Sequence, residues 1–295
     1  MRALSDYLKL VLVIDLQADW KTHMVGVLRA MHYNVDDSES VRDIAITFFN
    51  VQRRRVDPRP RQVLESAEFQ CPERVRDGYG LLKGRLIAGQ DVVDHQGPRI
   101  LKAAYKDGLF NDWGIRHFHL ERTGDGGFRG DLLLYAYVTP ECVYCINVHP
   151  HGEWTNQQLM RTLHRNWPEA IQHARSRRSL GLEHKNTDDD IAKLRAAHIV
   201  SSIEVEPGVV YGPAGGGYAS DGTSITAVRD TLFYLRFICD MEKQIQENLW
   251  TYIDLIEKTG RSCANPARFA LLINEHGFSA LETTSQVAIP FTLPV

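Results

Sequence analysis

Apolar positions along the chain change period several times, and the changes lay out a mixed series of elements. Tyr7–Leu16 is apolar enough for an opening strand or helix, and Lys21–Met31 fits a short helix before a polar link at Asn34–Ser40. Val41–Val51 is dense in apolar residues and suits either a helix or a buried strand. Arg74–Ala88 carries apolar residues at helical spacing, and Pro98–Leu109 opens with proline near a first helical turn, so a second helix is expected there. Three strand-like runs follow. Trp113–Arg122 alternates, whereas Leu132–Val138 and Val143–Val148 are nearly continuous apolar stretches, with turns at Thr123–Gly130 and Thr139–Glu141. Links this short favour antiparallel hairpins. Thr155 can cap a helix over Asn156–Trp167, which Pro168 follows.

In the last third, Asn186–Asp190 can cap a helix running through Ala197, and Asp188–Asp190 suit its positive N-terminal end better than a shared metal ion. Ile199–Tyr211 alternates like a strand, breaks into a Gly-rich stretch at Gly212–Gly222, and leads to a long helical pattern from Ile225 to about Glu257. A short helix at Ala267–His276 and an apolar tail close the chain. The expected fold class is α+β: an antiparallel β-meander with flanking helices, plus additional N- and C-terminal α/β segments. Pro58 and Pro60, which exclude a helix interior or central strand, place a border near residue 60. The expected segments are 1–60, 61–185 and 186–295.

At 295 residues, 43 % hydrophobic and 24 % charged, the chain is long enough to bury a substantial core. The longest apolar run, Leu8–Leu16, is interrupted by Lys9 and Asp15 and falls short of the roughly 20 residues a membrane span needs. No signal-peptide cleavage site stands out, and five widely spread cysteines do not form a disulfide framework, so a cytoplasmic protein with no membrane partner is expected. A net charge of −3 argues against wholesale coating of nucleic acid. Two basic runs can still hold phosphates or simply meet solvent: Arg53, Arg54, Arg55, Arg59 and Arg61, then Arg161, Arg165, Arg175, Arg177, Arg178 and Lys185.

The candidate chemistry lies in two His-x-His pairs, His117/His119 and His149/His151. Histidine titrates near neutrality, so such a cluster points to proton transfer, phosphate binding or metal ligation. On a strand His117 and His119 share a face with Ile115 and Glu121, while Arg116, Phe118, Leu120 and Arg122 take the other. Phe118 and Leu120 suit a core, so the histidine face is expected to be open. His149 and His151 flank Pro150 at the end of the third strand, ahead of Glu153 and Trp154. In a meander the first and third strands run parallel, so the two pairs need not meet; His149–Trp154 forms the site edge, with His119 nearest and His117 the weakest member. Cys142-x-x-Cys145 has zinc-like spacing, but residues three apart on a strand point to opposite faces, so neither a metal ligand set nor a cofactor is expected. The stretch 211–224 lacks the lysine of a phosphate-binding loop and reads as a mobile loop whose Tyr211 and Tyr218 suit base stacking.

These residues fit metal-independent cleavage of RNA, which needs a base, an acid and cations beside the phosphate. His119, His149, His151 and Glu153 are candidates for proton transfer and Arg122 for charge stabilisation. Arg116 and Arg129 can bind phosphate, and Tyr135, Trp154 and Tyr218 can stack on bases. Two helices, a strand, a Gly-containing turn, Arg129-Gly-Asp-Leu-Leu-Leu-Tyr135, a third strand and a His-Gly ending together resemble the RelE/ParE-type toxin fold over about Glu73–Trp154. The arginine many members carry on the second strand falls at Leu133 or Leu134, and the chain is much longer than those toxins. The resemblance implies a toxin or phage-defence endoribonuclease acting on RNA or the ribosome, or a gyrase poison, with an antitoxin or defence-system protein as partner. Two alternatives stand beside it: a metal-dependent hydrolase or nuclease using the His-x-His pairs, and a non-catalytic nucleic-acid or partner-binding protein.

Overall fold

The structure is a computed structural model that describes residues 10–124 and 126–293, so the opening Tyr7–Leu16 run lies partly outside the described residues. In chain order the elements are β1 (Leu12–Ile14), α1 (Leu16–Ala30), α2 (Val41–Arg54), β2 (Gln62–Glu65), α3 (Arg76–Ala88), α4 (Gly108–Trp113), β3 (Ile115–Arg122), β4 (Phe128–Val138) and β5 (Cys142–Pro150). They continue with α5 (Gln158–Asn166), α6 (Asp188–Ala196), β6 (Ile203–Glu206), β7 (Val209–Tyr211), α7 (Ile225–Glu247), α8 (Leu249–Lys258), β8 (Ala267–Asn274), β9 (Gly277–Glu282) and β10 (Val287–Phe291). The protein is mixed α+β, with several small sheets. It divides into two compact units: residues 49–228, and residues up to 48 together with 229 onward. The Arg/Pro stretch at 53–61 lies inside the first of these. Among the described residues no helix is long and apolar enough to cross a membrane.

The 49–228 unit is built on a sheet of order β2-β5-β4-β3, in which β3, β4 and β5 pair antiparallel in chain order and β2 pairs parallel with β5. Both faces are covered. On one, Ile115, Leu133, Tyr135, Tyr137 and Ile146 pack with Leu159, Met160 and Leu163 of α5, Ile191 of α6, and Ile203 and Val205 of β6. On the other, Phe118, Leu120, Leu134, Ala136, Val143, Cys145 and Val148 pack with Tyr79, Leu82 and Leu86 of α3. The face shared by His117 and His119 is therefore covered, whereas the alternation predicts an open one. It is a second core, and the histidines sit at its border.

Several local expectations give way to tertiary partners. Pro98–Leu109 is not one helix: a 3-10 turn spans Pro98–Leu101, and α4 starts only at Gly108. The carbonyls of Lys102, Ala103 and Tyr105, which a helix would use internally, instead accept from the buried guanidinium of Arg54. Ala267–His276 forms β8 and its turn, because β1 pairs with it in parallel and β9 antiparallel. Ile199–Tyr211 contains the β6–β7 hairpin rather than one strand. Of the first basic run, Arg59 is exposed, while Arg53, Arg54, Arg55 and Arg61 are engaged by the protein. Arg53 donates to Ser224 and the Gly215 carbonyl, Arg55 pairs with Asp91, and Arg61 with Asp57.

The Gly-rich stretch is packed, not a mobile loop. Gly215 N donates to the Asp112 carbonyl and Gly217 N to that of Asn111, both at 2.8 Å, satisfying acceptors that the end of α4 leaves open. Tyr211 and Tyr218 are buried, which removes both as stacking platforms. A Cβ on Gly215 would lie 2.0 Å from the Phe110 carbonyl oxygen, so only glycine fits.

The other unit carries the sheet β1-β8-β9-β10. Asp15 caps α1 through the Ala18 amide, and Asp19 accepts from Leu271 N at 2.8 Å, which anchors the helix to β8. Trp20, Tyr234, Phe237 and Phe278 form an aromatic cluster beneath.

Gly215→Ala is expected to cost at least about 2 kcal/mol in denaturant unfolding, because the overpacked contact is backbone against backbone. Gly124→Ala, whose Cβ meets nothing within 4 Å, is the matched control. Equal midpoints for the two variants would contradict the packed loop.

Candidate active site

Strand register places the histidines. His117 pairs with Tyr135, and His119 with Leu133, which in turn pairs with His149. A bulge between His119 and Glu121 interrupts the ladder, and the freed His119 carbonyl is met by Nδ1 of His95 at 2.8 Å. His95 is fully buried and stacks on Phe128 at 3.6 Å. Its burial holds the pKa below the ordinary histidine value, so the neutral ring donates from Nδ1. Gly97, at φ 75°, closes the other side of the site: a Cβ there would sit 2.8 Å from Nε2 of His119.

Beyond Pro150 the chain turns at Gly152 (φ 110°), and His151 N donates to the Asp131 carbonyl at 2.6 Å. This return brings the second histidine pair partly onto the first. The His151 ring lies 6.5 Å from that of His119 and 4.8 Å from Trp154, while His117 lies 6.0 Å from His119 and 4.7 Å from Trp154. The Trp154 carbonyl accepts from Arg195, which pairs with buried Asp112 at 2.7 Å and lies over the Trp113 ring at 4.6 Å.

His117, His119, His151 and Trp154 line one cavity of about 410 Å³, together with Gly97, Arg99, Tyr105, Lys106, Asp107 and Arg195. Burial, with the charges of His117, Arg129 and His151, pushes the His119 pKa down to about 4. Burial also lowers His117, against the opposing pull of Asp107, and lowers His149 against Glu153. Neutral imidazoles beside cationic side chains make a site that can accept a proton and hold an anion.

The other predicted residues lie elsewhere. His149 shares the row of His119, but its ring lies 6.1 Å from Tyr135 and outside the cavity lining. The Glu153 carboxylate accepts from Asn156 at 3.0 Å. Arg122 lies with Arg74, Asp77 and Leu81 on the α3 side of the sheet. Arg129 donates to its neighbour's carbonyl at Phe128 and acts on the site only as a charge near His119. Arg116 is turned into the protein: its terminal nitrogens donate to the carbonyls of Arg53 and Arg54, its guanidinium lies 4.1 Å from the Phe110 ring centroid, and burial pushes its pKa down to about 10. Tyr135 is fully buried and reaches the Pro150 carbonyl at 3.4 Å, and Tyr218 donates to Ile199 at 3.3 Å, so neither offers a free ring. Cys145 is in the α3-side core while Cys142 is half-buried, and among the described residues no three His, Cys, Asp or Glu side chains are placed to hold a metal ion.

The residues not anticipated are Gly97, Arg99, Lys106, Asp107 and Arg195, with His95 behind them. Asp107 carried the one usable signal, as an acidic residue before Gly108 that caps α4 through the Phe110 amide. Arg195 reaches Asp112 from 83 residues away, beyond any local pattern. Comparison with family models, curated proteins and solved structures gives no match.

Because His119 titrates near 4 in the fold and near 6.5 when unfolded, the unfolded chain binds its proton more readily. Its contribution to stability is complete above pH 6.5 and is lost as the pH falls through 4. Urea midpoints measured from pH 7.5 to 4 should fall in the wild type and fall less in His119→Gln, although His95, His117 and His149 act in the same direction. Identical slopes would contradict the buried, neutral His119.

Proposed function

We propose that the chain is an endoribonuclease that cleaves the RNA backbone by metal-independent acid/base chemistry. The observation that carries this reading is the convergence of three imidazoles with Arg99, Lys106 and Arg195 around one cavity. His119, neutral at physiological pH, takes the proton of a 2′-hydroxyl. The 2′-oxygen then attacks phosphorus, the bond from phosphorus to the 5′-oxygen breaks, and that oxygen leaves with a proton supplied from across the cavity by His151. The products are a 2′,3′-cyclic phosphate and a 5′-hydroxyl. The rings of His119 and His151, with centroids 6.5 Å apart, flank the phosphate in this reading. The neighbouring cations stabilise the charge that builds on its oxygens.

The order of α3, β3, β4 and β5, with a His-Gly turn after β5, supports the resemblance to RelE/ParE-type toxins. That resemblance suggests a cytoplasmic toxin or phage-defence setting, with RNA or the ribosome as target and an antitoxin or defence-system protein as partner.

Purified protein should cleave RNA, alone or with ribosomes, in the presence of a chelator. His119→Ala and His151→Ala should lower the rate by about 10²–10⁴-fold, and His149→Ala by far less. Intact RNA under all conditions, or wild-type rates in both variants, would overturn the assignment.

A further inference from the structure

The three cations of the cavity are not equivalent. Lys106 is bound to the carbonyl and carboxylate of Asp221, at 2.6 and 3.2 Å. Arg195 is committed to Asp112 and the Trp154 carbonyl. Arg99 is exposed and makes no ion pair or side-chain hydrogen bond among the described residues. It is nevertheless held in place. Arg99 stands on the 3-10 turn Pro98–Leu101, between Pro98 and buried Ile100, and its carbonyl accepts from Lys102 N at 3.0 Å. The residue before that turn is Gly97, packed against Nε2 of His119. A fixed backbone thus carries an uncommitted guanidinium two residues from the contact that sets the central imidazole.

We infer that Arg99 is the phosphate-binding residue of this cavity and that the cavity takes one unpaired nucleotide of a single strand. A guanidinium offers paired donors matched to two phosphate oxygens, and one with no internal acceptor gives up only water when it binds. Lys106 and Arg195 already face Asp221 and Asp112, so Arg99 is the cation of the lining left to meet an anion. A volume of about 410 Å³ accommodates a single nucleotide, with Tyr105, Leu109 and Trp154 as apolar wall for its base. A paired nucleotide inside an A-form helix cannot reach such a recess without leaving its stack. The inference rests on the ribonuclease reading for its substrate class, but it is tested by binding alone.

The probe is a fluorescent single-stranded 2′-O-methyl oligoribonucleotide, which lacks the proton that cleavage requires, titrated with the full chain at several salt concentrations. Arg99→Ala should raise Kd about tenfold or more, through the loss of the charge-assisted phosphate contact. It should also reduce the slope of log K against log salt by about 0.7, the value for one phosphate contact on a single strand. Arg99→Lys should restore the slope and only part of the affinity. Exposed Arg177, outside the cavity, should tolerate alanine, and the same sequence as a duplex should bind more weakly. The inference is overturned if wild-type protein does not bind the probe, if Arg99→Ala changes neither affinity nor slope, or if the duplex binds as well as the single strand. Binding that depends on Arg99 in a protein that leaves natural RNA intact supports this assignment and rejects the ribonuclease. Cleavage indifferent to Arg99 does the reverse.

Discussion

The buried ion pair between Asp112 and Arg195 is the contact on which the cavity depends. Asp112 ends α4, Arg195 comes from α6, and the same guanidinium holds the Trp154 carbonyl and lies over Trp113. One side chain thereby joins the element before β3, the loop after β5 and a helix far along the chain. Burial raises the pKa of Asp112, and Arg195 opposes that shift. Removing either partner would leave a buried charge uncompensated, a loss of about 3–5 kcal/mol. The cavity wall would lose its tie at the same time.

Around that pair the protein uses charge in two ways. Arg53, Arg54 and Arg116 are spent on carbonyls and aromatic rings, and Arg54 ties down the carbonyls of Lys102, Ala103 and Tyr105 in the cavity wall. Burial lowers the pKa of His117 and His119, and His95 holds the carbonyl of His119 at the bulge. Cations built into the frame and imidazoles left unprotonated at its edge form a site suited to drawing in an anion and removing a proton beside it.

The strands around the histidines were legible from alternation and turn residues, and so was α3 from its helical spacing. Cys142 and Cys145 separate to opposite faces as strand geometry requires. What local pattern could not show was how far the turn at Gly152 folds back: His151 meets His119, while His149 stays beside Tyr135, so the two pairs meet by one member of the second and both of the first. His117, ranked last on strand arithmetic, lies against Trp154 for the same reason. The arginines misled because a basic run looks alike whether it faces solvent or satisfies buried carbonyls. Ala267–His276 looked helical because an apolar run of that length carries no mark of its partner strands.

The chemistry of the cut ends tests the central claim most directly. RNA digested by the chain in the presence of a chelator, and analysed by mass spectrometry, should carry 2′,3′-cyclic phosphate on one fragment and 5′-hydroxyl on the other, because the attacking oxygen belongs to the RNA. Fragments with 5′-phosphate and 3′-hydroxyl would mean that water is the nucleophile, and would contradict a site in which imidazoles move the protons of the substrate itself.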